Sequence, residues 1–240
     1  MRLDQAALAR IATHTFITSS HSTHIPDMTI ADDKLISQYA SIHSSKRYGQ
    51  GTNDLALHIQ TCLLDLKPGT VLEYGCGQSL LYKNLNLNGA RWVRYDPAIP
   101  ELSVIPIEQA DMAINTDVLE HIPETDIDDV LKHIRSFSPN VFFNISTRPA
   151  REILPDGTNA HCTVWDADTW LARLQRFFPD ATLVHVRPGY SCMLVTWKSP
   201  IVGVLAQIEE LSLAHRAYTT PVLKKVERKI RRFRNKLLRR

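Results

Sequence analysis

The feature that most constrains this chain is a short apolar run ending in a glycine loop. Val71-Leu72-Glu73-Tyr74 leads into Gly75-Cys76-Gly77-Gln78-Ser79. The run over 70–74 predicts a short buried strand, and the glycine pair after it lets the backbone turn tightly and come close to a ligand. The loop is not a complete GxGxxG, because position 80 is Leu80. No GxxxxGK[ST] stretch occurs, so a P-loop is unsupported. A second apolar segment, ARWVRYD at 90–96, closes on Asp96, 19 residues after Gly77. In an open parallel sheet the carboxyl ends of neighbouring strands line one crevice. A carboxylate there can accept hydrogen bonds from two ribose hydroxyls.

The remaining pattern alternates strands and helices. A helix is expected within 1–30, followed by the polar loop TFITSSHSTHIPD, and another helix over 31–47. Residues 52–65 predict a helix with Leu55, Ile59, Cys62 and Leu63 on one face and Thr52 or Asn53 as its cap. A helix through Leu85 should follow the glycine loop. Further strands are expected near 102–105, at 111–117 and at 140–146, with a helix over 125–137. A long polar connection (147–165) precedes a helix over 168–178, then strands at 181–187 and 190–197 that form a hairpin. This order implies an α/β chain with a mostly parallel sheet of seven strands, helices on both faces and a C-terminal antiparallel hairpin. Three parts follow: an N-terminal helical cap (1–47), a catalytic domain (48–200) and a helical extension (201–240).

Composition narrows the class. The apolar share of 44% and charged share of 22% are those of a folded globular chain. The cysteines at 62, 76, 162 and 192 form no CxxC pair and no zinc spacing, so no metal ligand is assigned and a reducing compartment is expected. The opening MRLDQAALAR has no long apolar core and makes a poor signal peptide.

VLEYGCGQS, then YDP at 95–97, then NTDVLEHIPE at 115–124 together resemble class I S-adenosylmethionine-dependent methyltransferases. The resemblance spans roughly residues 48–197 and implies a Rossmann-like fold. It implies that the cofactor, S-adenosylmethionine, lies over Gly75, Cys76 and Gly77. Asp96 would take the ribose hydroxyls, and Asp117, Val118 and Leu119 would sit near the cofactor. Glu73 either fixes the loop or faces the positive methionine end. Glu108 and Gln109 are candidates for the adenine edge. The chain departs from the common DxGxGxG of the class, with Glu73 at its start and Ser79 in place of the last glycine.

Methyl transfer from a sulfonium is an in-line displacement that mainly needs alignment, and a hydroxyl nucleophile also benefits from a general base. His161 lies on the long connection after the fifth expected strand, where active-site loops gather. It is the preferred base, with Asp156 or Asn159 positioning the substrate. His121 is read first as structural or on the cofactor side. Tyr39 and His43, spaced i,i+4, share a helix face. With Arg47 and Tyr48 they would close an N-terminal segment over the pocket, as in some small-molecule and glycan methyltransferases that this arrangement resembles, with His43 a second catalytic candidate, Tyr48 on the cofactor and Tyr39 on the substrate. Arg148 and Arg151 suit an anionic acceptor such as a sugar acid or phosphorylated sugar. The expected reaction is O-methylation of a sugar or glycan hydroxyl. Another small-molecule, protein or nucleic-acid acceptor, and a non-enzymatic binding module, are the alternatives.

Charge is uneven along the chain. Residues 221–240 hold ten Lys or Arg and one acidic residue, which leaves the first 220 at −6. Val222, Val226, Ile230, Phe233 and Leu237 form one helical stripe, and Pro221 suits a helix start. Such a basic amphipathic helix fits an anionic membrane surface, a second subunit or, less well, nucleic acid. The expected location is cytoplasmic, peripheral on the inner membrane face.

Overall fold

The computed structural model describes residues 33–49 and 51–237, and over most of 221–237 the backbone alone. The helix expected within 1–30 lies outside the described residues. In chain order the elements are α1 (Asp33–Ser45), α2 (Ala56–Leu66), β1 (Thr70–Tyr74), β2 (Arg91–Tyr95), β3 (Met112–Thr116), α3 (Ile127–Phe137), β4 (Val141–Ser146), α4 (Ala167–Gln175), β5 (Thr182–Arg187), β6 (Ser191–Val195) and α5 (Ile201–Leu237). The strands form one sheet in the order β2-β1-β3-β4-β6-β5. β1 to β4 run parallel, while β6 is antiparallel to both β4 and β5.

The central strands read as unbroken apolar runs because both faces of the sheet are covered. Side chains alternate between two cores. Leu72, Ala113, Val141 and Phe143 point toward α3 and α4, where Ile127, Leu131, Trp170 and Leu174 meet them. Val71, Met112, Ile114 and Phe142 point the other way, toward Ile59 and Leu63 of α2 and Ile201 and Leu205 of α5. A third, smaller cluster joins Ile42 of α1 to Leu154 and Ala160 of the long connection. The N-terminal helix is thereby held over the carboxyl end of the sheet.

Four local expectations are corrected. The sheet has six strands among the described residues, not seven. Residues 100–102 make a single 3-10 turn, and Val104 is 74% exposed. The carbonyl of Leu102 accepts from the Asp96 amide, so this segment folds back over the end of β2 instead of extending the sheet. No full helix follows the glycine loop. Residues 81–84 form one 3-10 turn, and the asparagines after it make local bonds, with Asn86 Oδ1 accepting from the Asn88 amide. Such bonds compete with helix formation. The segment expected as one helix over 52–65 starts as a 3-10 turn, Gly51–Leu55. Thr52 does not cap it: its buried hydroxyl lies 2.6 Å from that of Thr116. Finally, Pro221 sits inside α5, not at its start, because the helix already begins at Ile201, whose amide donates to Ser199 Oγ.

Among the described residues no helix is long and apolar enough to cross a membrane. α5 packs its first turns on α2 and β5. Further along, Leu211 and Tyr218 are exposed.

Candidate active site

The glycine loop folds over the end of β2. The amides of Gly75 and Cys76 both donate to the Tyr95 carbonyl, at 2.8 and 2.9 Å. Gly75 (φ +75°) and Gly77 (φ +49°) occupy the left-handed region that favours glycine. A Cβ on Gly75 would fall 2.4 Å from Val118 Cγ2, and one on Gly77 would lie 3.0 Å from the Gly49 backbone. Asp96 is tied to the same loop: the Gly77 amide donates to its Oδ2 at 2.8 Å, and the Ala98 amide to its Oδ1 at 2.9 Å. Each carboxylate oxygen retains a second acceptor site for a hydroxyl.

An N-terminal strap crosses this loop. Gln78 Oε1 accepts from the Tyr48 amide at 3.1 Å, Gln78 Nε2 donates to the His43 carbonyl at 2.9 Å, and the Gln78 amide donates to the Tyr48 carbonyl. Gln78 carries no motif signal, and sequence reasoning missed it. On the other side of the cleft, β3 is followed directly by Asp117, a non-glycine residue at φ +55°. It is held there by two bonds to Asn144. Its amide donates to the Asn144 carbonyl at 2.8 Å, and Asn144 Nδ2 donates to its Oδ1 at 2.9 Å. Burial pushes the Asp117 carboxyl up to about 6 against the lowering effect of Asn144.

Two cavities share this ground. A small one of about 100 Å³ is lined by Gly75, Gly77, Asp96, Val118 and the strap residues Tyr39, His43, Tyr48 and Gly49, with Leu35, Ile36, Ala98 and Ile122 as apolar walls. A larger one of about 330 Å³ is lined by Asp54, Glu120, Asn144, Arg148, His161, Arg187, Tyr190, Glu209 and Arg216 among others. Tyr48, Gly49, Asp117 and His121 border both. The chemistry of the smaller cavity suits S-adenosylmethionine: a left-handed glycine loop, a buried carboxylate for two hydroxyls and apolar walls for a purine.

The larger cavity holds two histidines whose rings meet edge to face with centroids 4.8 Å apart. His161 Nδ1 lies 2.6 Å from the Arg148 carbonyl. His121 Nδ1 lies 2.8 Å from the Ala160 carbonyl and 2.7 Å from the Tyr39 hydroxyl. A carbonyl has no proton to give, so each ring donates from Nδ1 and keeps the lone pair on Nε2. Burial pulls His121 down to about 4 and lowers His161 as well, which favours the uncharged ring in both. Glu120 is fully buried. Its Oε1 accepts from the Ser146 amide at 2.9 Å, and Oε2 has no partner among the described residues. Burial, and then the neighbouring Asp117, push its carboxyl far up. Across the cavity Tyr190 stands between Arg148 and Arg187, whose guanidinium carbons lie 3.9 and 3.8 Å from its ring centroid. Two guanidiniums that close to one ring occupy opposite faces. Neither pairs with a carboxylate among the described residues, whereas Arg216 lies 3.8 Å from Glu209 and 4.0 Å from Asp54.

Several expected residues are not brought here. Glu73 is buried under the loop, accepting from Trp92 Nε1 at 2.9 Å with Arg94 3.9 Å away, and it lines neither cavity. Arg94 in turn donates to the Gly77 carbonyl, so Glu73 supports the loop from behind. Cys76 is buried, its thiol donating weakly to the Gly77 carbonyl. Asp156 lies on the exposed tip of the long connection. It is bonded to Thr158, Gln38 and Lys34, and the hydrogen bonds from Thr158 and then Lys34 hold its carboxyl well below the usual range. Asn159 clamps the connection through Ala150 and the His161 amide. Arg47, Glu108, Gln109 and Arg151 are exposed and line neither cavity. Arg187 and Tyr190 of the hairpin, and Arg216 of α5, escaped sequence reasoning. The hairpin was legible, but its registry against β4 was not.

The chain matches the family model described as a methyltransferase domain over residues 46–191, more than half its length. No curated protein sequence matches it. Its fold resembles that of a Burkholderia thailandensis 1,6-didemethyltoxoflavin N1-methyltransferase solved with its substrate and S-adenosylhomocysteine. That match has 16% identity and a TM-score of 0.50, covering 69% of this chain and 87% of that one. Weaker likenesses join it to DhpI (16% identity, TM-score 0.49, 71% of this chain and 100% of that one) and to the N-terminal domain of EvdMO1 (14% identity, TM-score 0.45, 70% and 97%). A six-stranded sheet with a closing hairpin, a glycine loop bonded to the acid after β2, and a family match over residues 46–191 place the chain in the methyltransferase domain family, as a class I S-adenosylmethionine-dependent methyltransferase.

Proposed function

We propose that this enzyme methylates a hydroxyl of a small anionic acceptor, such as a sugar acid or a phosphorylated sugar. One observation carries the reading: the larger cavity shares Tyr48, Gly49, Asp117 and His121 with the glycine-lined one, and its lining holds two guanidiniums that pair with no carboxylate among the described residues. Arg148 and Arg187 would bind the acceptor's carboxylate or phosphate by charge-assisted hydrogen bonds. Tyr190 keeps both guanidiniums oriented by cation–π contact. In the smaller cavity Asp96 would take the ribose hydroxyls, and Gly75, Gly77 and Val118 would hold the methionine portion. Tyr48 and His43 close the strap over it.

S-adenosylmethionine supplies an electrophilic methyl on sulfur. Transfer would make the acceptor oxygen's bond to that carbon and break its bond to sulfur, which would keep the electron pair as a thioether. The hydroxyl proton passes to His161 Nε2 and on to solvent. Asp156 and Asn159 shape the connection that carries His161. The basic stretch 221–240 is read as a contact with an anionic membrane surface, supported by its charge and apolar stripe.

The test is turnover with S-adenosylmethionine over a panel of sugar acids, sugar phosphates and their neutral analogues, with the methylated product read by mass spectrometry. Anionic acceptors should be preferred by about tenfold or more, the scale of one charge-assisted contact. Equal turnover of the neutral analogues would remove the acceptor class. Failure of the protein to bind S-adenosylhomocysteine would remove the reading altogether.

A further inference from the structure

Glu120, His121 and His161 together make a better ligand set than a set of proton carriers. One donor atom from each lies within 4.8 Å of the others. The two imidazoles are already fixed as ligands usually are, with Nδ1–H on a backbone carbonyl and Nε2 left as a lone pair. Among the described residues neither Nε2 makes a hydrogen bond. The third member is a carboxylate with no solvent exposure and one oxygen without a partner. Leaving such a group unpaired in the interior is costly. A proton, a donated hydrogen bond or a cation relieves it, and the same cavity wall brings two imidazole nitrogens to it, which favours the cation.

We propose that Glu120, His121 and His161 bind one divalent transition-metal ion, which receives the acceptor's hydroxyl. Two imidazoles and one carboxylate favour zinc, manganese, iron or cobalt over magnesium or calcium, which prefer all-oxygen sites. Three protein ligands leave coordination positions open for a hydroxyl. Metal–ligand bonds of roughly 2.1 Å put ligand atoms about 3–3.5 Å apart, so the three side chains close by about an ångström around the ion. The Tyr39 hydroxyl and the Ala160 carbonyl then orient His121, and the Arg148 carbonyl orients His161. The last contact ties the ion to the anion-binding wall, because the same Arg148 stacks on Tyr190. The ion would lower the hydroxyl's pKa directly, so that its proton leaves to water. His161 would then act as a ligand and not as a free base. The proposal rests on reading this cavity as the acceptor site.

The experiment uses the full chain, stripped with a chelator and titrated with Mn²⁺ or Zn²⁺. Bound metal is read by elemental analysis and, for Mn²⁺, by electron paramagnetic resonance. One ion per chain should bind, and His161→Gln should weaken it by at least tenfold, since even outer-shell changes cost about 10–100-fold. His121→Asn should do the same. S-adenosylhomocysteine affinity, unchanged in His161→Gln, shows that the fold is intact there; for His121→Asn, whose ring also borders the cofactor cavity, an unchanged circular-dichroism spectrum and melting temperature show it. In the wild type, chelation should abolish turnover and added metal restore it. Absence of stoichiometric binding, or equal binding by wild type and His161→Gln, would overturn the metal site. Either result would leave His161 as the base of the methyltransferase, whose own failure would show as lost S-adenosylhomocysteine binding.

Discussion

The two cavities that meet at Asp117 are built in opposite ways. The smaller is made of backbone: left-handed glycines, amide hydrogens on Asp96 and a strap crossing at Gly49. The larger is made of side chains drawn from β4, the long connection, the hairpin and α5. A backbone site tolerates no added atom but is indifferent to most neighbouring side chains. A side-chain site is altered one group at a time. Affinity for the common cofactor should therefore be fragile at glycines, and acceptor choice should be adjustable at residues far apart in the chain.

That contrast can be broken by experiment. The largest effect is expected from Gly75→Ala, whose new methyl would meet Val118 at 2.4 Å on a left-handed backbone. Calorimetry should find no S-adenosylhomocysteine binding, and the melting temperature should fall by several degrees, the scale of about 1–2 kcal/mol in a domain this size. Normal binding would show that the loop is not the cofactor's seat. Next comes Asp96→Ala. Losing hydrogen bonds to a charged acceptor costs about 1.5–3 kcal/mol, so cofactor affinity should drop by roughly ten- to a hundredfold with any residual turnover keeping its acceptor preference. Arg148→Ala should act on the other side alone, raising KM for an anionic acceptor by about tenfold at unchanged cofactor affinity. A shift in both constants would mean that the cavities are not separable. The smallest effect on catalysis is expected from removing residues 221–240. Turnover of a soluble acceptor should hold while flotation with anionic liposomes is lost, and equal flotation at physiological salt would sink the membrane assignment.

The same contrast explains what could be read from the sequence. The cofactor side is local: the strand, the glycines, Asp96 and Asp117 each sit at the end of a segment whose apolar pattern is visible, so their meeting follows from the parallel sheet. The strand expected at 102–105 failed because an apolar cluster between prolines can serve as a cover as well as a strand, and here it folds over Asp96. The acceptor side depends on distance in the chain. His121 and His161 are separated by 40 positions, and nothing near either announces the other. Arg187 and Tyr190 reach the cavity only because β6 pairs with β4 in a register that sets Ser191 beside Ser146. Asp156 looked catalytic from its proximity to His161 in sequence, yet five residues of turn send it to the opposite side of the connection, against α1.

α5 carries one more consequence. Its 37 residues make a rod of about 55 Å, and its Glu209 and Arg216 line the larger cavity. Some 21 residues separate Arg216 from the helix end, a reach of about 30 Å. Pro221, inside the helix, has no amide hydrogen to give to the ladder. The mouth of the reaction chamber and the cationic end of the molecule are thus set on one ruler with a single notch. A surface that captured the far end would hold the chamber at a fixed height above itself, and would select acceptors able to span that gap.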